Sequence, residues 1–122
     1  MLEQHHLVYW QKRLAEEKQE AQQQTAQAWK DAQSIARLLR QQFGATQVIL
    51  FGSLVKGRLT KASDIDIAVA DVPEDQFFAA VAAVNRLSHR WVDLKPLEAL
   101  ESHFYQRVLE TGKSLDETVE SQ

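Results

Sequence analysis

Polar and apolar positions follow two different periods along this chain, and the changes of period mark its elements. From residue 8 to about residue 42 there is no glycine or proline, and Ala, Gln, Glu, Leu, Lys and Arg dominate. This predicts one long helix, stopped by Gly44. In its second half Ala28, Trp29, Ala32, Ile35, Ala36, Leu39 and Phe43 keep helical spacing and should pack on a sheet. The first half differs, because Gln19 to Gln27 is polar apart from Ala21 and Ala26, too weak a stripe for a coiled coil. Tyr9, Trp10 and Leu14 lie ahead of it and are read mainly as an intermolecular grip, on a partner protein or a second copy, with folding back onto the domain as the alternative. His5 and His6 read as a frayed terminus.

The period then shortens. Gln47-Val48-Ile49-Leu50-Phe51 is a short apolar run rich in β-branched and aromatic residues, which predicts a buried strand ended by Gly52. Ser63 to Ala70 alternates so that Ile65, Ile67 and Val69 share one face and Asp64 and Asp66 the other. Pro73, followed by Glu74 and Asp75, opens a second helix, with Phe77, Phe78, Val81, Val84 and Leu87 as its expected buried face. Arg90 to Lys95 alternates again, so a third strand carries Asp93, with His89 as a structural residue at the turn before it. A last helix, containing a similarly structural His103, begins after Pro96, runs to about Glu110 and ends at Gly112. The expected fold is α/β: a small mixed β-sheet of at least three strands packed by helices, with a long N-terminal helix.

Chemistry is concentrated at Gly52-Ser53, followed after ten residues by Asp64-Ile65-Asp66. A glycine at a strand end lets the backbone turn sharply and approach a ligand closely, and Ser53 opens a short helical stretch, Leu54 to Lys56, whose free N–H groups suit phosphate. Two carboxylates at i and i+2 on a strand suit Mg²⁺, which prefers a few carboxylates, retained waters and substrate phosphates. If the third strand pairs beside the second, Asp93 joins Asp64 and Asp66, and three carboxylates can hold two metal ions for an in-line phosphoryl displacement. Either short motif alone recurs by chance, whereas the combined spacing is far rarer.

With Asp93 added, this constellation resembles the signature of the DNA polymerase beta-like nucleotidyltransferases, and most of all the minimal nucleotidyltransferases, over about Trp29 to Leu109. The resemblance implies that Gly52 and Ser53 bind the β- and γ-phosphates of ATP, and that Asp64, Asp66 and Asp93 hold Mg²⁺, two ions being expected. Asp93 would also help activate the attacking hydroxyl. Many relatives have arginine directly after the Gly-Ser pair, but this chain has Leu54 and brings its first cations at Lys56 and Arg58, the nucleotide-binding candidates, with Lys56 favoured. The resemblance further implies the antitoxin of a type VII-like HEPN/MNT toxin-antitoxin pair, which transfers AMP from ATP to a tyrosine of a HEPN RNase toxin and silences it. Two other readings stay open: an antitoxin that neutralises by occlusion, and the catalytic subunit of a small-molecule nucleotidyltransferase.

Composition narrows the partners. The chain has 122 residues, 44% of them hydrophobic, enough for one modest core. Three segments are expected: an N-terminal helical extension (1–27), a minimal nucleotidyltransferase domain (28–112) and an acidic flexible tail (113–122) that could dock a basic partner. Residues 45–95 carry the sheet and its motifs, leaving no second domain to recognise an acceptor, so the acceptor site should come from a partner in a hetero-oligomer. A net charge of −3 argues against direct nucleic-acid binding. The lack of cysteine fits a reducing cytoplasm, and neither a membrane span nor a signal peptide is legible.

Overall fold

The computed structural model describes residues 2–115. The long helix is one rod, α1, Leu2–Phe43, about 63 Å long at 1.5 Å per residue. Residues 4–23 are exposed throughout, while Ala28, Ala32, Ile35, Ala36 and Leu39 are buried, with Trp29 and Phe43 packed at the edge of the core. At 3.6 residues per turn, Leu7, Trp10 and Leu14 continue the same stripe beyond the domain. They do not fold back on it: Tyr9, Trp10 and Leu14 stand 54%, 55% and 62% exposed. Among the described residues no helix is long and apolar enough to cross a membrane.

The sheet has four strands, β1 (Gln47–Phe51), β2 (Ile65–Ala70), β3 (Val92–Pro96) and β4 (Lys113–Ser114), in the order β3-β2-β1-β4. β1 runs antiparallel to β2 and β4, and β2 and β3 are parallel. A parallel pair needs a crossover, and this one contains the helix α2, Phe77–Leu87, entered through a 3-10 turn at Glu74–Gln76. A second 3-10 turn, Leu97–Ala99, leads to α3, Ser102–Thr111, capped by the Glu101 carboxylate, which accepts from the N–H groups of His103 and Phe104. One face of the sheet, including Val48, Leu50, Ile65, Ile67, Val69 and Leu94, packs on α1 and α2. On the other face Ile49, Phe51, Ala68 and Ala70 meet Leu97 and Val108, with Phe104 against them.

Three expectations need correction. The chain from Lys113 is not all loose tail: Lys113 and Ser114 pair with Leu50 and Ile49, and the buried Leu115 donates its N–H to the Val48 carbonyl. An apolar residue beyond the strand gives the sheet a reason to recruit this segment; residues 116–122 of the expected tail lie outside the described residues. On α2 the buried positions are Ala80 and Val84, while Phe78 is 86% exposed and Leu87 40%. Its inward face falls on Phe77, Ala80, Val81 and Val84, which share one side at helical spacing. Leu54 to Lys56 form turns rather than a helix, closed by Lys56 N–H to Gly52 O and Arg58 N–H to Ser53 O.

One buried carboxylate, in no local motif, ties α1 to the loop before β3. Asp31 is 5% exposed and accepts from the Gln27 amide, the Ser88 hydroxyl and the His89 backbone N–H, while the His89 ring sits 3.0 Å away. Burial alone would raise its pKa, but the His89 N–H, the His89 ring and the Gln27 amide outweigh this and hold it below the ordinary 3.8. His89 is therefore a structural residue, as its turn position suggested. Asp31→Ala would leave the His89 N–H and Gln27 amide without this acceptor and should cost about 2 to 3 kcal/mol in denaturant unfolding at pH 7. Because the folded-state value is depressed, the part of that contribution carried by the ionised carboxylate is complete above the unfolded-state value and is lost as pH falls through the lower folded-state value. The stability gap between wild type and variant should thus narrow in acid.

Candidate active site

The site forms where β1 ends beside the start of β2. In the register, Asp66 lies opposite both Phe51 on β1 and Asp93 on β3. Alternation puts Asp66 on the same face as Ala68 and Ala70, and places Asp93 and Lys95 there as well. Gly52 follows Phe51 with φ 84°, a conformation that carries no penalty only for glycine. A Cβ at this position would lie 2.2 Å from Oδ2 of Asp66, so the missing side chain is what lets the carboxylate rest against the turn.

Asp64 precedes β2 and is fixed by its neighbours. Arg90 donates from one guanidinium nitrogen to the carbonyls of Thr60 and Ser63, at 2.9 and 2.7 Å, and Ile65 N–H donates to Trp91 O. Arg90 thereby joins the loop after the glycine turn to the start of β3. No local pattern could have singled it out, since its partners lie 27 and 30 residues away.

The carboxylates feel one another. The Asp66 pKa is pushed up to about 6 by burial first, then by the charges of Asp93 and Asp64, with Lys95 opposing. Lys95 Nζ lies 3.2 Å from both Asp93 oxygens. Lys95 lies outside the glycine-turn and Asp-x-Asp motif; its signal in the sequence is the i+2 spacing from Asp93, which puts both on one face. Among the described residues, no three or more His, Cys, Asp or Glu side chains close into a metal-binding group. The donor set nevertheless fits a hard divalent cation: oxygen ligands only, crowded enough to raise a pKa, and already attracting an ammonium.

Beside the turn, between β1 and α3, a cleft of about 240 Å³ is lined by Phe51, Gly52, Lys56, Phe104, Arg107 and neighbouring residues. Phe51 and Phe104 meet edge to face, ring centroids 5.6 Å apart. Lys56 thus lines the same cleft as Gly52. Arg58 is exposed and does not line this cleft; its backbone N–H closes the turn on Ser53. Ser53 is half-buried within the turn. The structure therefore brings Gly52, Asp64, Asp66, Asp93 and Lys56 to one region and leaves the Arg58 side chain outside the cleft.

A mixed sheet in which a strand-end glycine turn packs against an Asp-x-Asp strand, with a third carboxylate in register, is the architecture of a nucleotidyltransferase. The chain belongs to the polymerase beta nucleotidyltransferase family, whose model matches residues 33–120. Among solved structures it is similar to a toxin-antitoxin with AMP-PNP, at 28% identity and TM-score 0.62, covering 70% of this chain and 72% of that one. A mutant of the toxin-antitoxin MntA-HpeT shares 30% identity at TM-score 0.58, over 68% and 69% of the two chains. A structure described as a minimal nucleotidyltransferase, 24% identical at TM-score 0.59 over 67% of this chain and 86% of that one, shares the fold. No curated protein matches the chain.

Proposed function

We propose that this protein is a minimal nucleotidyltransferase antitoxin that transfers AMP from ATP to a tyrosine hydroxyl of a HEPN RNase toxin and so inactivates it. The observation that carries the reading is the contact of Asp66 with the side-chain-free Gly52, with Asp93 in register across β2 and β3. It unites a phosphate turn with a carboxylate cluster. The similarity to a toxin-antitoxin holding AMP-PNP and to MntA-HpeT supports an adenine nucleotide and a toxin partner.

In this reading Gly52 and Ser53 receive the β- and γ-phosphates, and Lys56 neutralises part of their charge. Asp64, Asp66 and Asp93 would hold Mg²⁺. When bound, Mg²⁺ supplies Lewis-acid polarisation of the phosphates and charge neutralisation. The tyrosine oxygen forms a bond to the α-phosphorus as the bond from that phosphorus to the bridging oxygen breaks. Pyrophosphate departs with that oxygen, and the hydroxyl proton passes to Asp93 and then to solvent. The chain's contribution is mostly positioning and electrostatics. The exposed Tyr9, Trp10 and Leu14 offer a surface for the toxin that needs no catalysis, which keeps simple occlusion as the second reading.

Incubation with the HEPN protein, labelled ATP and Mg²⁺ should label the toxin at tyrosine, and Asp64→Ala or Asp66→Ala should abolish the label. Full neutralisation by both variants without any label would establish occlusion instead. Turnover of a small hydroxylated molecule, with no modified protein by intact mass, would point to the small-molecule transferase.

A further inference from the structure

The cleft between β1 and α3 contains a cation that the glycine-turn motif does not include. Arg107 projects from α3 into the same cleft as Gly52 and Lys56. No carboxylate lines it, and neither cation has a carboxylate partner among the described residues. In a chain of net charge −3, two such cations facing one small cleft are a local reversal of sign.

The arrangement around Gly52 is polarised. On one side, against the turn itself, lies Asp66, with Asp93 in register beyond it. On the other lie Lys56 and Arg107, which line one cleft with Phe51 and Phe104. A triphosphate crossing the turn with its α-phosphate at the carboxylates would place its terminal phosphates at the cations. Arginine suits this end because its planar fork can donate two parallel hydrogen bonds to one phosphate, whereas lysine acts as a point charge. The position is also firmly held: Val108, next to Arg107, is buried against the sheet, and the Arg107 carbonyl accepts from the Thr111 hydroxyl.

We propose that Arg107, together with Lys56, forms the subsite for the terminal phosphates of the nucleotide and retains the pyrophosphate as it leaves. The proposal rests on reading the chain as a nucleotide-binding transferase and adds a positioning residue, from outside the glycine-turn motif, to that site.

Titration calorimetry of the full chain with Mg²⁺ would use AMP-PNP, inorganic pyrophosphate and AMP as probes. In Arg107→Ala and in the more conservative Arg107→Gln, affinity for AMP-PNP and pyrophosphate should fall by about 10- to 100-fold. AMP affinity and the thermal midpoint should stay unchanged, and Arg107→Lys should recover part of the loss. Wild-type affinity for pyrophosphate in both loss variants, or an equal loss for AMP, would overturn the proposal. The two readings fail separately. Arg107-dependent pyrophosphate binding without AMP transfer to any protein would sustain the subsite and sink the toxin-modifying activity. AMP transfer with Arg107-independent pyrophosphate binding would do the reverse.

Discussion

Asp66→Asn should lower nucleotidyl transfer by about 1,000-fold or more while making the metal-free protein more stable. The activity loss follows from removing the carboxylate that touches the glycine turn and faces Asp93, the centre of the proposed metal site. The stability gain follows from its titration. Its folded-state pKa is raised from 3.8 to about 6, so between those values the folded protein binds more protons than the unfolded chain. Stability of the metal-free protein therefore falls as pH rises through that window and stays lower above it. Asp66 is half-buried, so solvent screening reduces the effect to about 1 kcal/mol. Thermal melts from pH 4 to 7 without metal should show a downward trend in wild type that flattens in Asp66→Asn. Mg²⁺ should stabilise wild type and have little effect on the variant. A melt that rises from pH 4 to 7 in both proteins would contradict the repulsion argument.

Gly52→Ala should be the most damaging single-methyl change in the site. The added carbon would sit 2.2 Å from the Asp66 carboxylate oxygen, and alanine would also have to adopt φ 84°. Conformational penalty and clash together should cost about 2 to 3 kcal/mol of stability, with a loss of transfer of about 100-fold or more as the carboxylate is displaced. Gly57 provides the control: its φ is 72°, yet a Cβ there meets nothing within 4 Å. Gly57→Ala should show the conformational penalty alone, about 1 kcal/mol, and keep most of the activity. Equal melting shifts and equal activities in the two variants would show that the contact with Asp66 is unimportant.

Much of the architecture could be read from local pattern. The glycine- and proline-free run, the alternation from Ser63 to Ala70 and the glycine at residue 52 each specify their element through periodicity and backbone sterics, which act over a few residues. Phe78 lies one residue, about 100°, round α2 from Phe77, outside the face that Phe77, Ala80, Val81 and Val84 share, and apolar side chains do not announce which of several possible faces will turn inward. Strand β4 was hidden because two polar residues gain strand geometry only from the partner that pairs with them.

By itself, then, the sequence determined the elements and the chemical types available, the glycine turn, the Asp-x-Asp strand and a third aspartate on a strand of its own. Tertiary structure decided which of these meet. It put Asp93 in register with Asp66, Lys95 on the Asp93 carboxylate, Arg90 across two loop carbonyls, Asp31 beneath His89, and Arg107 in the cleft with Lys56. The physical reason is separation along the chain. Periodicity and turn preference are local, whereas strand order, electrostatic crowding and hydrogen bonds between distant segments exist only once packing has brought those segments together.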